Sequence, residues 1–212
     1  MRSVRVINQE AGLAFRSFSG LLKRGIDILA SAALILILTP VMILVAAAIK
    51  LTSPGPVLYS QTRLTQGGRE FTLWKFRSMC LNAETDGVAT LASKTDNRVT
   101  PIGRFLRRTR LDELPQLFNV LRGDMSLIGP RPERPEIAAR LSGSIPRFHQ
   151  RLQAKAGLTG LAQVIQGYPD GVLGYRRKLG LDLIYIREWS LLLDLWIAFK
   201  TISVVLSGSG AR

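Results

Sequence analysis

Residues Ile28 to Ile49 read ILASAALILILTPVMILVAAAI, an uncharged run dominated by Leu, Ile, Val and Ala. At the helical rise, its roughly 22 residues span about 33 Å, the thickness of a bilayer's hydrocarbon core. The run is too long for a cleaved signal peptide and lacks a small-residue cleavage site. Pro40 sits near its middle, where it removes a backbone donor and crowds the carbonyl one turn earlier, so a kink or break of the helix is predicted there. The hydroxyl of the adjacent Thr39 is placed to satisfy a freed carbonyl inside lipid.

Arg16, Lys23 and Arg24 precede the run, and Lys50, Arg63 and Arg69 follow it. A spanning helix normally leaves one basic flank and one poor one. With both flanks basic, a re-entrant helix–break–helix hairpin with both ends on the cytoplasmic side fits better, and a kinked spanning helix is the alternative. A second apolar stretch, Trp189 to Leu206, is interrupted by Asp194 and Lys200. It reads either as an interfacial helix with Trp189 and Trp196 at the headgroup boundary or as a buried C-terminal helix.

The expected organisation is a membrane segment over residues 1–52 and one compact domain over 53–212. Ser53-Pro54-Gly55-Pro56 ends the apolar helix. Val57–Tyr59 and Phe71–Phe76 are predicted strands, with Gln66-Gly67-Gly68 between them making a hairpin. Cys80 to Thr100 is polar and is predicted to form a loop. Helices are expected over Gly103–Arg110, Asp112–Leu121, Glu133–Leu141, Arg147–Ala154 and Tyr175–Arg187. The fold class is therefore α/β, mostly helical with a small hairpin or sheet, carrying a re-entrant membrane helix and amphipathic interfacial helices.

Against 15 Asp and Glu stand 29 Lys and Arg, a formal charge of +14. That surplus suits phosphorylated small molecules or acidic lipids. No nucleic-acid module is recognisable, and the apolar run argues against a nucleic-acid binder. Cys80 is the only cysteine and His149 the only histidine. An intrachain disulfide is excluded, and a zinc site or a Ser-His-Asp triad has almost nothing to build on. A metal, if used, is a hard cation on carboxylate and phosphate oxygens, magnesium first. His149 is expected on a solvated face.

Within Arg110–Pro132, RLDELPQLFNVLRGDMSLIGPRP, two adjacent carboxylates, Asp112 and Glu113, precede Pro115. Proline is comfortable only in a helix's first turn, which predicts Asp112 at or beside an N-cap, held ionised by free amides. Such a group can act as a nucleophile on bound phosphate, with Glu113 helping to hold metal or manage a proton. Plain helix capping fits the same residues. Arg131, stiffened between Pro130 and Pro132, presents a guanidinium fork shaped for phosphate or makes a simple solvated turn. Lys75 and Arg77 alternate along a strand and so share a side facing phosphate or solvent. Arg104, Arg107 and Arg108 share a helix face by spacing, as do Arg147, Arg151 and Lys155. Either face could meet anionic headgroups.

Together these blocks resemble the monotopic polyprenol-phosphate phosphoglycosyl transferases, the bacterial sugar transferase family, in a small form limited to the catalytic unit. The likeness runs from Lys23-Arg24-Gly25-Ile26-Asp27 through Thr39-Pro40, Ser53–Val57 and Lys75–Met79. It continues through Leu111–Pro132 and Gly157-Leu158-Thr159-Gly160 to Leu181–Tyr185 and Trp189–Leu195. The resemblance implies a catalytic domain on a re-entrant helix at the cytoplasmic face of the bacterial inner membrane. Asp112 would attack a UDP-sugar, UMP would leave, and polyprenol phosphate would take the phosphosugar from the aspartyl ester. It further implies Glu113 beside the nucleophile, a magnesium requirement, and phosphate or nucleotide binding at Lys75 and Arg131. Such chemistry opens exopolysaccharide, O-antigen or glycoconjugate assembly, and a homodimer is compatible with it. Ala156 and Leu161 replace a proline and an aromatic frequent in the family. The loop after Gln163, Val164 to Asp170, departs from the usual pattern, which leaves the donor sugar open. A non-catalytic basic scaffold at the membrane surface is the alternative, against which Asp112, Glu113 and Arg131 stand intact.

Overall fold

The computed structural model describes residues 2–81, 96–167 and 169–207, with side chains from residue 19 onward. Helix α1 runs from Arg2 to Thr52, and its Ser19–Thr52 part is long and apolar enough to cross a membrane. Pro40 lies inside this one continuous helix and does not divide it in two, so of the expected kink or break the break does not occur. A single proline deletes one rung of the hydrogen-bond ladder, and the turns on either side hold. The Thr39 hydroxyl donates to the Ile35 carbonyl at 2.6 Å, one turn back, rather than to the Leu36 carbonyl that Pro40 leaves without an amide partner.

Both flanks of the apolar run dock on the globular domain while its middle does not. Near the start, Arg24 donates to the Val120 and Leu121 carbonyls at 2.6 and 2.7 Å. These sit in the last turn of α3 (Gln116–Arg122), where carbonyls lack helical partners and a cation is favoured. Buried Asp27 accepts from the Leu127 amide at 3.0 Å. Lys23 pairs with Asp194 at 2.5 Å, and Asp194 also accepts from the Tyr185 hydroxyl and the Trp189 indole. Near the end, Val45 and Ile49 bury against Phe76 and Leu106. Between these flanks, Leu36 and Ile37 are 78% and 69% exposed.

Strands β1 (Leu58–Leu64) and β2 (Glu70–Phe76) form the expected hairpin, longer than predicted and paired Tyr59 to Lys75 and Arg63 to Phe71. The two ends of the next loop meet where Cys80 donates to the Arg98 carbonyl, and residues 82–95 of that predicted loop lie outside the described residues. Helix α2 (Pro101–Thr109) follows, capped by the Thr100 hydroxyl.

The expected helix over Asp112–Leu121 is two pieces. Leu111–Glu113 is a single 3-10 turn entered through Arg110 at φ 61°, and α3 begins only after Pro115. Strand β3 (Met125–Ile128) then pairs in parallel with β4 (Ala156–Thr159), a second small sheet that the sequence did not announce. A parallel pair needs a long crossover. Helix α4 (Pro135–Ser144) and a 3-10 turn at Phe148–Gln153 supply it, the latter where an α-helix was expected. Short α5 (Leu161–Ile165), α6 (Gly171–Glu188) and α7 (Leu191–Ser207) complete the chain.

Helix α7 is buried along one face only, and Trp189, which precedes it, packs on the core and bonds Asp194. Asp194 and Ile197 are buried, whereas Leu192, Leu195, Trp196, Phe199, Ile202 and Leu206 make an exposed apolar stripe.

Candidate active site

Four short connections converge on Asp112 and Glu113. Asn119, fully buried in α3, accepts from the Trp74 amide at 3.1 Å and donates to the Thr72 carbonyl at 2.7 Å. It thereby stitches α3 to β2 and sets the preceding turn against Lys75. The Arg110 backbone adopts a left-handed conformation that a side chain rarely takes. Such local strain is characteristic of functional turns, and here both acids after it are buried.

Arg131 reaches the same point from the β3 side. Gly129 donates to the Thr159 carbonyl and Gly157 to the Pro130 carbonyl, each at 2.9 Å. A Cβ on Gly157 would lie 2.1 Å from the Gly129 nitrogen, so only glycine permits this approach of the loop to β4. Arg151 donates to the Arg131 carbonyl at 2.7 Å. With the backbone pinned, the Arg131 guanidinium meets Glu113 through two bonds, 2.5 Å to Oε1 and 3.2 Å to Oε2. Lys75 reaches Oε1 at 2.9 Å.

The two acids therefore differ sharply. Burial opposes the ionised form of Glu113, but Arg131 and Lys75 more than offset it and hold its pKa well below the usual range. At Asp112, burial raises the pKa to about 6, with Lys75 pulling it down and Glu113 pushing it up. Its Oδ1 is buried with no hydrogen-bond partner among the described residues. The N-cap role expected for Asp112 is thus corrected: it lies within a 3-10 turn, accepts no helix amide at Oδ1, and is costly to ionise rather than held ionised.

A cleft of about 420 Å³ opens over this pair. Of the sequence-predicted binding residues, Lys75 and Arg131 meet at Glu113. Arg77 lines the cleft, but its terminal nitrogens bond Ser53 and the Pro54 carbonyl, which pegs β2 to the end of the membrane helix. Arg107 also faces the cleft, donating to Ser78 Oγ at 2.9 Å, while Arg104 and Arg108 point outward. The predicted face of Arg147, Arg151 and Lys155 does not form. Arg151 is buried against Asp182 at 2.8 Å, because its turn is 3-10 and packs inward. His149 is exposed, as expected.

Arg63, Arg110, Glu133, Gln163 and Lys178 also line the cleft and were not singled out as site residues. They come from distant parts of the chain with no shared motif. For Arg63, Arg110 and Lys178 the only sequence signal was the surplus of positive charge, and Glu133 and Gln163 carried none.

Among the described residues no three His, Cys, Asp or Glu side chains cluster to hold a metal. Asp112 offers one orphaned oxygen, whereas both Glu113 oxygens are engaged by cations. Magnesium commonly binds through one or two carboxylates plus substrate phosphates. The free Asp112 oxygen would suit that open mode, with the remaining ligands supplied by phosphate oxygens, which Lys75, Arg107, Arg110 and Arg131 around the cleft would favour.

A buried carboxylate with a raised pKa beside two cations, on a body docked to a membrane-length helix, is an arrangement able to receive a phosphate group. The chain belongs to the bacterial sugar transferase family, whose model matches residues 18–208. It is 46% identical over 205 residues to the UDP-N-acetylgalactosamine-undecaprenyl-phosphate N-acetylgalactosaminephosphotransferase of Aeromonas hydrophila, covering 97% of this chain and 48% of that protein. With the UDP-glucose:undecaprenyl-phosphate glucose-1-phosphate transferase of Caulobacter vibrioides it shares 45% identity over 191 residues, 89% of this chain and 71% of the relative. The exopolysaccharide production protein PSS of Rhizobium leguminosarum bv. phaseoli is 42% identical over 198 residues, 89% of this chain and 98% of its own length. The chain thus spans about half of the Aeromonas relative and nearly all of the Rhizobium one.

Proposed function

We propose that this chain is a phosphoglycosyl transferase that moves a sugar 1-phosphate from a UDP-sugar to undecaprenyl phosphate and releases UMP. The observation that carries this reading is the unpartnered, buried Asp112 oxygen beside Arg131 and Lys75. A desolvated carboxylate with a pKa near 6 is ionised at neutral pH and poorly solvated, which favours attack on phosphorus. An Asp112 oxygen forms a bond to the β-phosphorus, and the bond from that phosphorus to the bridging oxygen breaks. UMP departs with the bridging oxygen and its electron pair. The phosphate oxygen of the lipid acceptor then attacks the same phosphorus, and the aspartyl bond breaks to regenerate the carboxylate.

Arg131 and Lys75 orient the diphosphate by exchanging Glu113 oxygens for phosphate oxygens of the same charge and fork geometry. Magnesium, held by Asp112 and the donor's phosphates and by Glu113 once it is released, would screen the charge that accumulates during transfer.

The two docked flanks of α1 favour the re-entrant topology. Lys23, Arg24 and Asp27 at one flank and Val45 and Ile49 at the other touch the same body, which leaves the exposed middle around Pro40 to enter lipid. The apolar stripe of α7 would lie at the same interface, at the cytoplasmic face of the inner membrane.

Membranes carrying the protein, with undecaprenyl phosphate and a panel of UDP-sugars, should release UMP in a magnesium-dependent manner with at least one donor. Asp112→Asn should abolish the release. Full turnover by that variant would remove the nucleophile assignment.

A further inference from the structure

The cleft has a direction, and its two ends differ in chemistry. Tyr59, Gln61 and Arg63 alternate along β1, share one face of the strand, and all line the cleft. From Tyr59 to Arg63 the strand covers about 13 Å, close to the length of a nucleoside monophosphate. At the first end, Tyr59 lies opposite Lys75 and Leu58 opposite Phe76, and Phe76 packs on Ile49 of the membrane helix. Pro56, Leu58, Met79 and Leu81 supply apolar lining there, beside Arg77, whose guanidinium is occupied by Ser53 and the Pro54 carbonyl. At the far end, Arg63, Arg134 and Lys178 line the cleft with Glu133; Lys178 is ion-paired to Glu133, and Arg134 lies 3.6 Å from Glu136. That end carries a surplus of positive charge.

Two polar atoms are left over on residues that line the cleft. Arg63 is fixed by bonds to the Pro132 carbonyl at 3.1 Å and Gln61 Oε1 at 2.5 Å, while its Nε is buried without a partner. Gln163 donates its amide nitrogen to the Leu158 carbonyl at 3.0 Å. That bond fixes Oε1 as the free acceptor, and it too is buried and unpartnered. One fixed donor and one fixed acceptor, each costly to leave unsatisfied, suit a ligand that presents both kinds of group.

We propose that the Arg63–Gln163 end of the cleft seats the leaving nucleotide of the donor, a nucleoside 5′-monophosphate, and that the Pro56–Leu58–Leu81 end is reserved for the lipid acceptor. The assignment rests on the phosphoglycosyl transferase reading above. The acceptor's chain lies in the bilayer and must enter beside α1, so the nucleotide occupies the end away from it. Arg63 meets phosphate or carbonyl oxygens, and Gln163 meets an N–H or hydroxyl of the nucleoside.

The test uses the full chain in lipid nanodiscs, with UMP as the probe because it carries the nucleotide and no sugar. Arg63→Gln and Gln163→Leu should each raise the UMP inhibition constant and the donor KM about tenfold, with the KM for undecaprenyl phosphate unchanged. Arg63→Gln also loosens Pro132 next to Arg131, and a purely structural effect of that kind would lower kcat and raise both KM values together. Gln163→Leu leaves the Pro132 contact in place and separates the two cases. A UMP inhibition constant within twofold of wild type in both variants would overturn the proposal, as would an acceptor KM that rises in step with the donor's. Absence of both turnover and UMP binding in the wild-type protein would instead bring down the transferase reading itself.

Discussion

Arg131 meets Glu113 through both terminal nitrogens, at 2.5 and 3.2 Å, while Lys75 holds the same carboxylate from 2.9 Å. The carboxylate fills the place that a phosphate would take on these two cations. Glu113→Gln removes the carboxylate charge that both cations share in a mostly buried setting. A loss of about 3 kcal/mol is expected at neutral pH. Because the Glu113 pKa is depressed in the fold, its stabilisation is present above the ordinary value of 4.5 and disappears as pH falls through the folded value. Thermal melts should show the gap between variant and wild type closing as the solution is acidified below about pH 4. UMP should raise the melting temperature of the variant more than that of the wild type, since its phosphate replaces the missing charge. Equal melting temperatures at pH 7 would show the pair to be of no structural consequence.

Asp112 titrates near 6 because burial disfavours its charge. As only the ionised form attacks, kcat/KM should fall about tenfold for each pH unit below that point, measured as initial UMP release between pH 5 and 8. A flat profile over pH 5–7 would contradict a nucleophile with this pKa.

The same shift has the opposite sign for stability. An acid whose folded pKa lies above 3.8 favours the fold below that value, and the advantage is lost as pH rises through about 6. Asp112→Asn should therefore be more stable than wild type at pH 7.5, by on the order of 2 kcal/mol, and should lose that margin near pH 4. Thermal denaturation at the two pH values checks it. Destabilisation of the variant at pH 7.5 would show that the ionised carboxylate has partners.

In a Cys80→Ser background, single cysteines at Gln9 and Gln66 should both react with a membrane-impermeant thiol reagent from the cytoplasmic side alone. Gln66 is exposed in the hairpin turn, whereas Arg63, a basic flank in the sequence, is engaged inside the cleft. Labelling from opposite sides would show α1 to span. Pro40→Ala restores the missing amide and should move a fraction of molecules toward that spanning arrangement.

Local signals in the sequence located the membrane helix, the hairpin and most of α2, because apolar length, strand alternation and helical periodicity act over a few residues, whereas the Thr100-Pro101 helix start was passed over and the helix begun at Gly103. Lys75, Asp112, Glu113 and Arg131 could be picked out, but not how they meet. Asp112 was misplaced to an N-cap because Pro115 fixes where a helix can start, not that a separate 3-10 turn precedes it. Strands β3 and β4 were missed, since four residues each are too few for periodicity to register. The role of Lys23-Arg24-Gly25-Ile26-Asp27 as a dock for the catalytic body was equally hidden. Its partners Val120, Leu127 and Asp194 lie about a hundred residues or more along the chain.

The central claim is the covalent phosphosugar on Asp112. Incubating the purified protein with magnesium and UDP-N-acetylgalactosamine or UDP-glucose, without lipid acceptor, and then mapping peptides by mass spectrometry tests it most directly. A sugar-phosphate adduct on the peptide containing Asp112, formed with stoichiometric UMP, absent from Asp112→Asn and discharged by undecaprenyl phosphate, is the expected result. UMP release that occurs only when the acceptor is present, with no adduct at any time, would contradict the account.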